Sequence, residues 1–210
     1  MSNVTKLETK QVVTIRPANY QVLEVAIEGT APLVMNRFSK KGPMMEAMQQ
    51  GSTSKKGKKH APRDFEKDMH DATHVSEEGW QGIPASAFRS AMISACRLCG
   101  FKMTHAKLSL FVQADGFDAM EGQPLVRFEG VPEMNSMHCR VANGKTDIRI
   151  RPMWRHWSAN LRVEFDADQF TMDDVINLLN RVGRQVGVGE GRPDSRNGGG
   201  MGWGTFKIAG

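Results

Sequence analysis

The sequence of 210 residues predicts an α+β fold, in which an antiparallel sheet carries helices on one face. Two kinds of pattern lead to this prediction. In short stretches apolar residues occupy every second position, as in half-buried strands, and in two longer stretches they recur every three or four positions, as in helices. The chain is long enough, and at 40% apolar residues hydrophobic enough, to form one domain with its own core.

The first predicted strand and the first clear helix lie before residue 101. Apolar and polar residues alternate from 20 to 28, and Gly29 ends this strand. Pro84 followed by Ser86 is a helix start signal, and Gly100 is a typical C-terminal stop. The apolar stripe between them, at helical spacing, consists of Phe88, Ala91, Met92, Ala95 and Cys99.

Further strands and a second helix follow. The strands are predicted at 108–113, 124–128, 147–151 and 159–165, and a last one at 204–208. Thr171, with acids in the next turn, caps the clearest helix of the chain. The apolar face of this helix consists of Val175, Leu178, Leu179, Val182 and Val186.

In order, the principal elements read strand, helix, strand, strand, helix, strand, with an additional hairpin before the second helix. This is the split βαβ order of ferredoxin-like and RRM-like sheets, which leave one face free to bind. We expect a polar N-terminal arm at 1–19 and a single domain at 20–210, with a basic flexible insertion at 51–62.

The insertion at 51–62 contains no large apolar residue, so it has nothing to bury in a core. Its basic residues include Lys55, Lys56, Lys58 and Lys59. Such a composition is typical of a solvated tract and equally of a segment that seeks phosphate groups. The sequence leaves both interpretations open.

Positive charge is also concentrated nearer the C-terminus. The whole chain has a formal net charge of +5, and residues 140–162 alone account for that excess. Arg149 and Arg151 share one face of a predicted strand, which favours binding over a merely solvated face. The residues after this strand supply aromatic and basic groups of the kind that stack on bases and follow a backbone: Trp154, Arg155, His156 and Trp157. For the two tryptophans the alternative, a place in the core, stays open.

A glycine-rich run separates the second helix from the last strand. Eight of the 21 glycines lie between Gly187 and Gly204. The run follows a helix and contains no Gly-Lys-Ser/Thr, which excludes the common phosphate loops of nucleotide cofactors. We interpret it as a backbone clamp for a polynucleotide, since glycine allows close approach and lets successive N–H groups face a phosphate. The residues assigned to this clamp are Arg192, Arg196, Gly200, Gly202 and Trp203.

Cysteine and histidine give little sign of a metal site. Cys96 and Cys99 form a CxxC at helical spacing, but no second CxxC completes a tetrahedral site, so buried thiols are favoured over zinc. His70 and His74 stand four residues apart without the HExxH glutamate. We therefore predict no metal and no cofactor.

Several of these motifs resemble the RAMP superfamily, the RNA-binding backbone subunits of CRISPR effector complexes. The helix opening Gly-Ile83-Pro84-Ala-Ser86-Ala-Phe88-Arg89 resembles the Ile-Pro-Gly-Ser-Ser opening of that family, although Ala85 and Ser90 replace usual glycines. Pro32-Leu33-Val34 is similar to its short apolar turn, and the run ending Gly200-x-Gly-x-Gly-x-Phe206 to its glycine-rich loop. Over its full length the chain also resembles small proteins encoded by tailed phages.

The resemblance implies an RRM-like domain that holds single-stranded RNA or DNA and assembles along it. We expect non-catalytic, sequence-tolerant binding, RNA being favoured over DNA, by a homo-oligomer or filament, with Arg89 among the contacts. One alternative is a metal-independent endoribonuclease that uses His156 or His74. The other is a phage structural or assembly protein. A polar N-terminus and the lack of a long apolar stretch predict a cytoplasmic protein, in the bacterial host if phage-encoded, without a membrane partner.

Overall fold

The computed structural model describes residues 16–37, 64–140, 146–195 and 199–210. Within these ranges the strands are β1 (Tyr20–Gly29), β2 (Leu33–Val34), β3 (Gly82–Pro84), β4 (Leu110–Val112), β5 (Gly116–Phe117), β6 (Pro124–Glu129), β7 (Glu133–Arg140), β8 (Thr146–Trp154), β9 (Ser158–Asp166) and β10 (Phe206–Ile208). The helices are α1 (Phe65–Asp71), α2 (Ala85–Ala95), α3 (Met103–Ser109) and α4 (Met172–Arg181). The predicted α+β class is confirmed.

The main sheet has the strand order β10-β1-β9-β6-β3, with β4 added to β9 and β5 to β6. Its strands pair antiparallel throughout the described residues. The longest pairing joins β1 to β9, from Tyr20 opposite Asp166 to Glu28 opposite Ser158. With seven strands, this sheet is larger than the simple four-stranded pattern, and the narrower ferredoxin-like assignment stays a prediction.

The core lies between one face of this sheet and the helices α2 and α4. The alternation predicted for β1 and β9 is confirmed, because Val25 and Ile27 are buried, as are Leu161, Val163 and Phe165. The predicted apolar faces of both helices join the same core, except that Cys99 is exposed beyond the end of α2. Thr171 caps α4 as predicted, in a reciprocal pair of hydrogen bonds with Asp174.

A second, three-stranded sheet has the order β2-β8-β7. Sequence patterns predicted its middle strand at 147–151, but β8 continues to Trp154 and pairs with β2, with Leu33 opposite Trp154. Strand β7 has no clear alternation in its sequence and was not predicted. Its pairing with β8, from Glu133 opposite Met153 to Arg140 opposite Thr146, is what makes it a strand.

One predicted strand differs from the structure in another way. The strand expected at 108–113 is split, since residues up to Ser109 belong to α3 and only Leu110–Val112 form β4. Leu108, read as part of a strand, lies on the exposed side of α3 and is 71% exposed. The insertion at 51–62 and most of the N-terminal arm lie outside the described residues.

In the described ranges, no helix combines the length and the apolar character needed to cross a membrane.

Candidate nucleic-acid interface

The glycine-rich run is a closely packed loop against β2 and the end of α4. Gly204 has φ +66°, and a Cβ built on it would lie 1.7 Å from the Val188 carbonyl oxygen. Gly200 has φ +65°, and its Cβ would lie 2.0 Å from the Arg192 carbonyl oxygen. Only glycine fits such contacts with neighbouring backbone, so these residues are required by the packing of the loop.

About half of the described amides in this loop donate to backbone carbonyls inside the protein. Val188 N–H donates to Gly204 O at 3.0 Å, Gly204 N–H to Pro32 O at 2.8 Å, and Glu190 N–H to Val34 O at 2.9 Å. The N–H groups of Met201 and Trp203 both donate to Gly191 O. The expectation that successive amides of the run face a phosphate is therefore wrong for these positions, because folding already uses them. Within the described residues, the amides of Gly200 and Gly202 donate no backbone hydrogen bond.

Arg192 forms the basic point of the loop and borders two open cavities that lie side by side. One is lined by residues of β2, β3 and the loop, the other by one side of α2, and each has a volume of about 370 Å³. Arg192 lines both, together with Ala87 and Gly189. Its Nη1 donates to the Gly189 carbonyl at 3.1 Å, and within the described residues it forms no ion pair within 4 Å. Most of its N–H groups are thus free for an anionic ligand. Asp194 lines the second cavity as well, and its pKa is lowered by the hydrogen bond from Ser94 and by the charges of Arg97 and Arg192.

Helix α2 contributes hydroxyl groups to the second cavity. Ser86, Ser90 and Ser94 lie four residues apart, on one side of the helix, and all three line it. Ser94 donates to Asp194, which also pairs with Arg97 at 2.7 Å. Ser86 and Ser90 are exposed, and their hydroxyls make no hydrogen bond within the described part of the chain. These hydroxyls, with Arg192, form a polar wall suited to phosphate or sugar oxygens.

His74 belongs to a buried cluster at the edge of the first cavity. Its Nδ1 lies 3.0 Å from Asp118 Oδ2, and Asp118 Oδ1 accepts from Arg37 Nη2 at 2.9 Å. Arg37 also donates to the Thr73 carbonyl and contacts Glu121 at 3.5 Å. The carboxylate thus orients both a histidine ring and a guanidinium group, and the histidine ring lines the cavity.

The environment of Asp118 lowers its pKa. Burial alone would raise the pKa, but hydrogen bonds from the N–H groups of Met120 and Glu121, the hydrogen bond to His74 and the charge of Arg37 outweigh burial. Asp118 is therefore ionised at neutral pH. Because an ionised carboxylate only accepts hydrogen bonds, His74 Nδ1 carries the proton of the bond between them.

The stability of the protein should depend on the charge of Asp118. The folded pKa lies below the unfolded value of about 4, so the stabilisation is present above that pH and is lost as the pH falls through the folded pKa. We expect Asp118→Asn to lower the free energy of unfolding by about 2 kcal/mol at neutral pH. The difference in unfolding free energy between variant and wild type should become smaller at acidic pH. Urea unfolding across pH checks this, and a gap that stays constant down to about pH 3 would contradict it.

The two tryptophans of the predicted aromatic surface are core residues. Trp154 is fully buried, its Nε1 donates to Gln81 Oε1 at 2.9 Å, and its ring lies edge-on to Phe128. Trp157 is 3% exposed, and its Nε1 donates to the Ala31 carbonyl at 2.9 Å. Since both rings are closed off from solvent, the expectation that they stack on bases is wrong, and the core alternative is confirmed.

Arg151 is buried too and does not project from a free strand face. It is 6% exposed, with Nε donating to Glu190 Oε2 at 2.6 Å and Nη1 to the Ile150 carbonyl at 2.9 Å. Its charge is neutralised by Glu190 of the glycine-rich loop, which lies over this side of β8. The assignment of Arg151 to a strand-binding face is therefore corrected: this residue ties the second sheet to the loop.

Arg89 likewise serves the fold. Its Nε donates to the Leu110 carbonyl at 2.9 Å and its Nη2 to the Lys107 carbonyl, at the end of α3. The guanidinium also lies 5.0 Å from the ring centre of Phe111. These contacts hold the group against the end of α3, and the nucleic-acid contact of Arg89 stays a prediction.

The other predicted contacts remain predictions. Arg155 and His156 are exposed in the turn between β8 and β9, and Arg155 pairs with Glu133 at 2.8 Å. Arg149 and Trp203 are half-buried. Neither Arg155 nor His156 lines the two cavities beside Arg192. Lying outside the described residues are Lys55, Lys56, Lys58, Lys59 and Arg196.

The open face of the main sheet does not suit a phosphate backbone. It carries a groove of about 630 Å³, and Arg127 is the one basic residue among the described residues that line it. The acidic residues in the same lining are Glu28, Glu78, Asp115 and Glu129. An acidic groove repels phosphate, so the expected use of this free face for strand binding is not supported by its charge.

The CxxC pair divides into one buried and one exposed thiol. Cys96 is buried, as expected, and burial, with a smaller contribution from Cys99, raises its pKa to about 11. Cys99 is exposed, because the 3-10 turn Cys96–Cys99 follows α2 and rotates it away from the core.

Sequence reasoning missed much of the cavity wall. Asn36 lies just after β2 and Glu190 lies inside the loop, and both line the first cavity. Asp118, which holds the ring of His74, lies in a turn that ends at Gly122. The four-residue spacing of Ser86 and Ser90 was a usable signal for a polar helix side. No local signal reveals that Asp118 meets His74, since 44 residues separate them.

Comparison with protein-family models, and with curated proteins, finds no match to this chain. The resemblance to the RAMP superfamily and to phage-encoded proteins stays a prediction from motifs.

Proposed function

We propose that this protein binds single-stranded nucleic acid in the cytoplasm, RNA in preference to DNA, without strong sequence preference, and assembles along the strand. The observation that carries the proposal is the position of Arg192, unpaired within the described residues, between two adjoining cavities beside the glycine-rich loop. The side of the molecule that binds is then the side of α2 and the loop, and not the open face of the sheet.

The chemistry of this side fits a sugar–phosphate backbone. A guanidinium group binds phosphate with two parallel hydrogen bonds, and the neighbouring Ser86 and Ser90 offer hydroxyls to further oxygens. Helix α2 starts at Pro84 without a side-chain cap, so the N–H groups of its first turn add positive potential beside Ser86. None of these contacts depends on base identity, which agrees with sequence-tolerant binding.

Arg192→Ala should weaken the binding of every strand alike. We expect about a tenfold loss of affinity for labelled RNA, and a salt dependence shallower by about one unit, because one phosphate contact is lost. Arg127→Ala is the control, since Arg127 is an exposed arginine on the acidic open face and lines neither of the two cavities beside Arg192. Fluorescence anisotropy, measured over a range of salt concentrations, gives the affinity of both variants for the labelled RNA.

Three outcomes of this titration would contradict the proposal. One is the absence of strand binding by the wild type at low salt. Another is an Arg127→Ala variant that loses as much affinity as Arg192→Ala. The third is RNA that is shortened during incubation, which would favour the endoribonuclease alternative, since His74 is oriented by Asp118 as a general base requires.

A further inference from the structure

The cavity next to His74 is shaped for more than a backbone contact. Its walls are mostly apolar, and they include Leu33 and Met35 after β1, and Ile83 and Pro84 before α2. Its volume of about 370 Å³ is within the range of sites that enclose a small organic group. The polar residues in the wall are Asn36, His74, Glu190 and Arg192.

Two of these polar residues keep unused hydrogen-bonding groups. Asn36 is exposed, and its amide forms no side-chain hydrogen bond within the described residues. The His74 side chain is only 10% exposed, and its Nδ1 is held by Asp118. In the described part of the chain its Nε2 has no partner. In the uncharged ring the proton lies on Nδ1, and Nε2 then presents a lone pair that accepts a hydrogen bond.

The remaining charges limit the kind of ligand. Glu190 is neutralised by Arg151 at 2.6 Å, so the cavity contains no free carboxylate among its described residues. Arg192 stands where this cavity meets the serine-lined one, and offers its charge there. A fitting ligand is therefore largely apolar, has an N–H group at its edge, and is joined to an anion outside the cavity.

We propose that this cavity receives one base of the bound strand, while Arg192 holds the phosphate of the same nucleotide. The inference rests on the proposed binding of a single strand and adds how the strand is held. His74 Nε2 accepts a hydrogen bond from an N–H or amino group of the base, and the Asn36 amide pairs with a neighbouring edge atom. Each of the four common bases carries such a donor, so the cavity requires a base without selecting one.

The test compares a labelled RNA strand of about ten nucleotides with a strand of the same length that has abasic residues throughout. The wild type should bind the base-bearing strand about tenfold more tightly, as expected for one enclosed base. Asn36→Ala removes the amide that contacts the edge of the base, and Ala87→Met fills the cavity from α2. Both should therefore bring the ratio of the two affinities, base-bearing over abasic strand, toward one. Neither residue belongs to the buried cluster of Asp118. Arg127→Ala, on the acidic open face, should keep the wild-type ratio.

The outcomes separate the two proposals. If the wild type binds both strands equally well, the base site is wrong while strand binding stands. If Asn36→Ala and Ala87→Met both keep the full ratio, the base is bound elsewhere and this inference is overturned. If no strand binds, the proposed function itself fails.

Discussion

Gly204→Ala should leave little folded protein. The residue has φ +66°, which costs an alanine about 1–2 kcal/mol, and the new Cβ would lie 1.7 Å from the Val188 carbonyl oxygen. The clash is with backbone that is itself held, since Val188 and Gly204 are joined by a hydrogen bond of 3.0 Å. We expect a loss of about 4 kcal/mol or more, a large part of the stability of an ordinary domain. Urea unfolding measures this loss of stability. If no folded protein remains, the soluble yield of the variant is compared with that of the wild type.

Gly202→Ala is the matched control for this prediction. Gly202 has a similar backbone conformation, with φ +77°, but no atom outside its neighbours lies within 4 Å of the new Cβ. We expect a loss of about 1 kcal/mol, from backbone conformation alone. Equal losses in the two variants would show that the packing of Gly204 against Val188 contributes nothing, and would refute the description of the loop as closely packed.

Trp154→Ala should destabilise the protein by about 3–5 kcal/mol. The substitution removes a fully buried indole that packs edge-on against Phe128, with ring centres 5.0 Å apart. It also removes the N–H group that donates to Gln81 Oε1, so this partly buried oxygen loses its hydrogen bond. Thermal and urea unfolding measure the loss. Phe117→Ala, at an aromatic residue that is 53% exposed, is the control and should change stability by less than about 1 kcal/mol.

The Trp154→Ala variant also distinguishes the two roles that the sequence left open for Trp154. If Trp154 stacked on a base, its substitution would weaken strand binding and leave the stability of the fold unchanged. A core residue loses stability first, and any loss of affinity follows from unfolding. Wild-type stability combined with weakened binding would therefore return Trp154 to the interface, against its burial in the structure.

The correction of Arg151 and Trp154 changes how the basic segment at 140–162 is understood. Its excess charge looked like a single binding face. In the structure Arg151 pairs with Glu190, Arg155 pairs with Glu133, and Arg162 pairs with Asp115 at 2.8 Å. A local count of charges does not include acidic partners from distant parts of the chain. Arg192, which lies outside this segment, forms no such pair within the described residues.

Local sequence pattern was sufficient for the elements with a strong period and a clear end. The alternation of β1 and β9, the stripe of α2 and the capping of α4 by Thr171 were all predicted, because each depends on residues a few positions apart. The position of the glycine run before β10 was also evident from order alone. The short strands β2, β3 and β5 were not predicted, since two or three residues give no clear period. Strands β2 and β3 pair with strands far along the chain, and β5 pairs with the next strand, β6.

The candidate site was decided by tertiary structure. The sequence by itself determined an α+β chain with a basic segment and a glycine-rich loop, but it left open whether the tryptophans face a ligand or the core. Long-range contacts settled that question: β8 pairs with β2, which buries Trp154, and the loop folds back on β8, which places Glu190 on Arg151. The same packing brings His74 to Asp118 and sets Arg192 between two cavities. The physical reason is that burial and ion pairing depend on neighbours in space, which lie far apart along the chain.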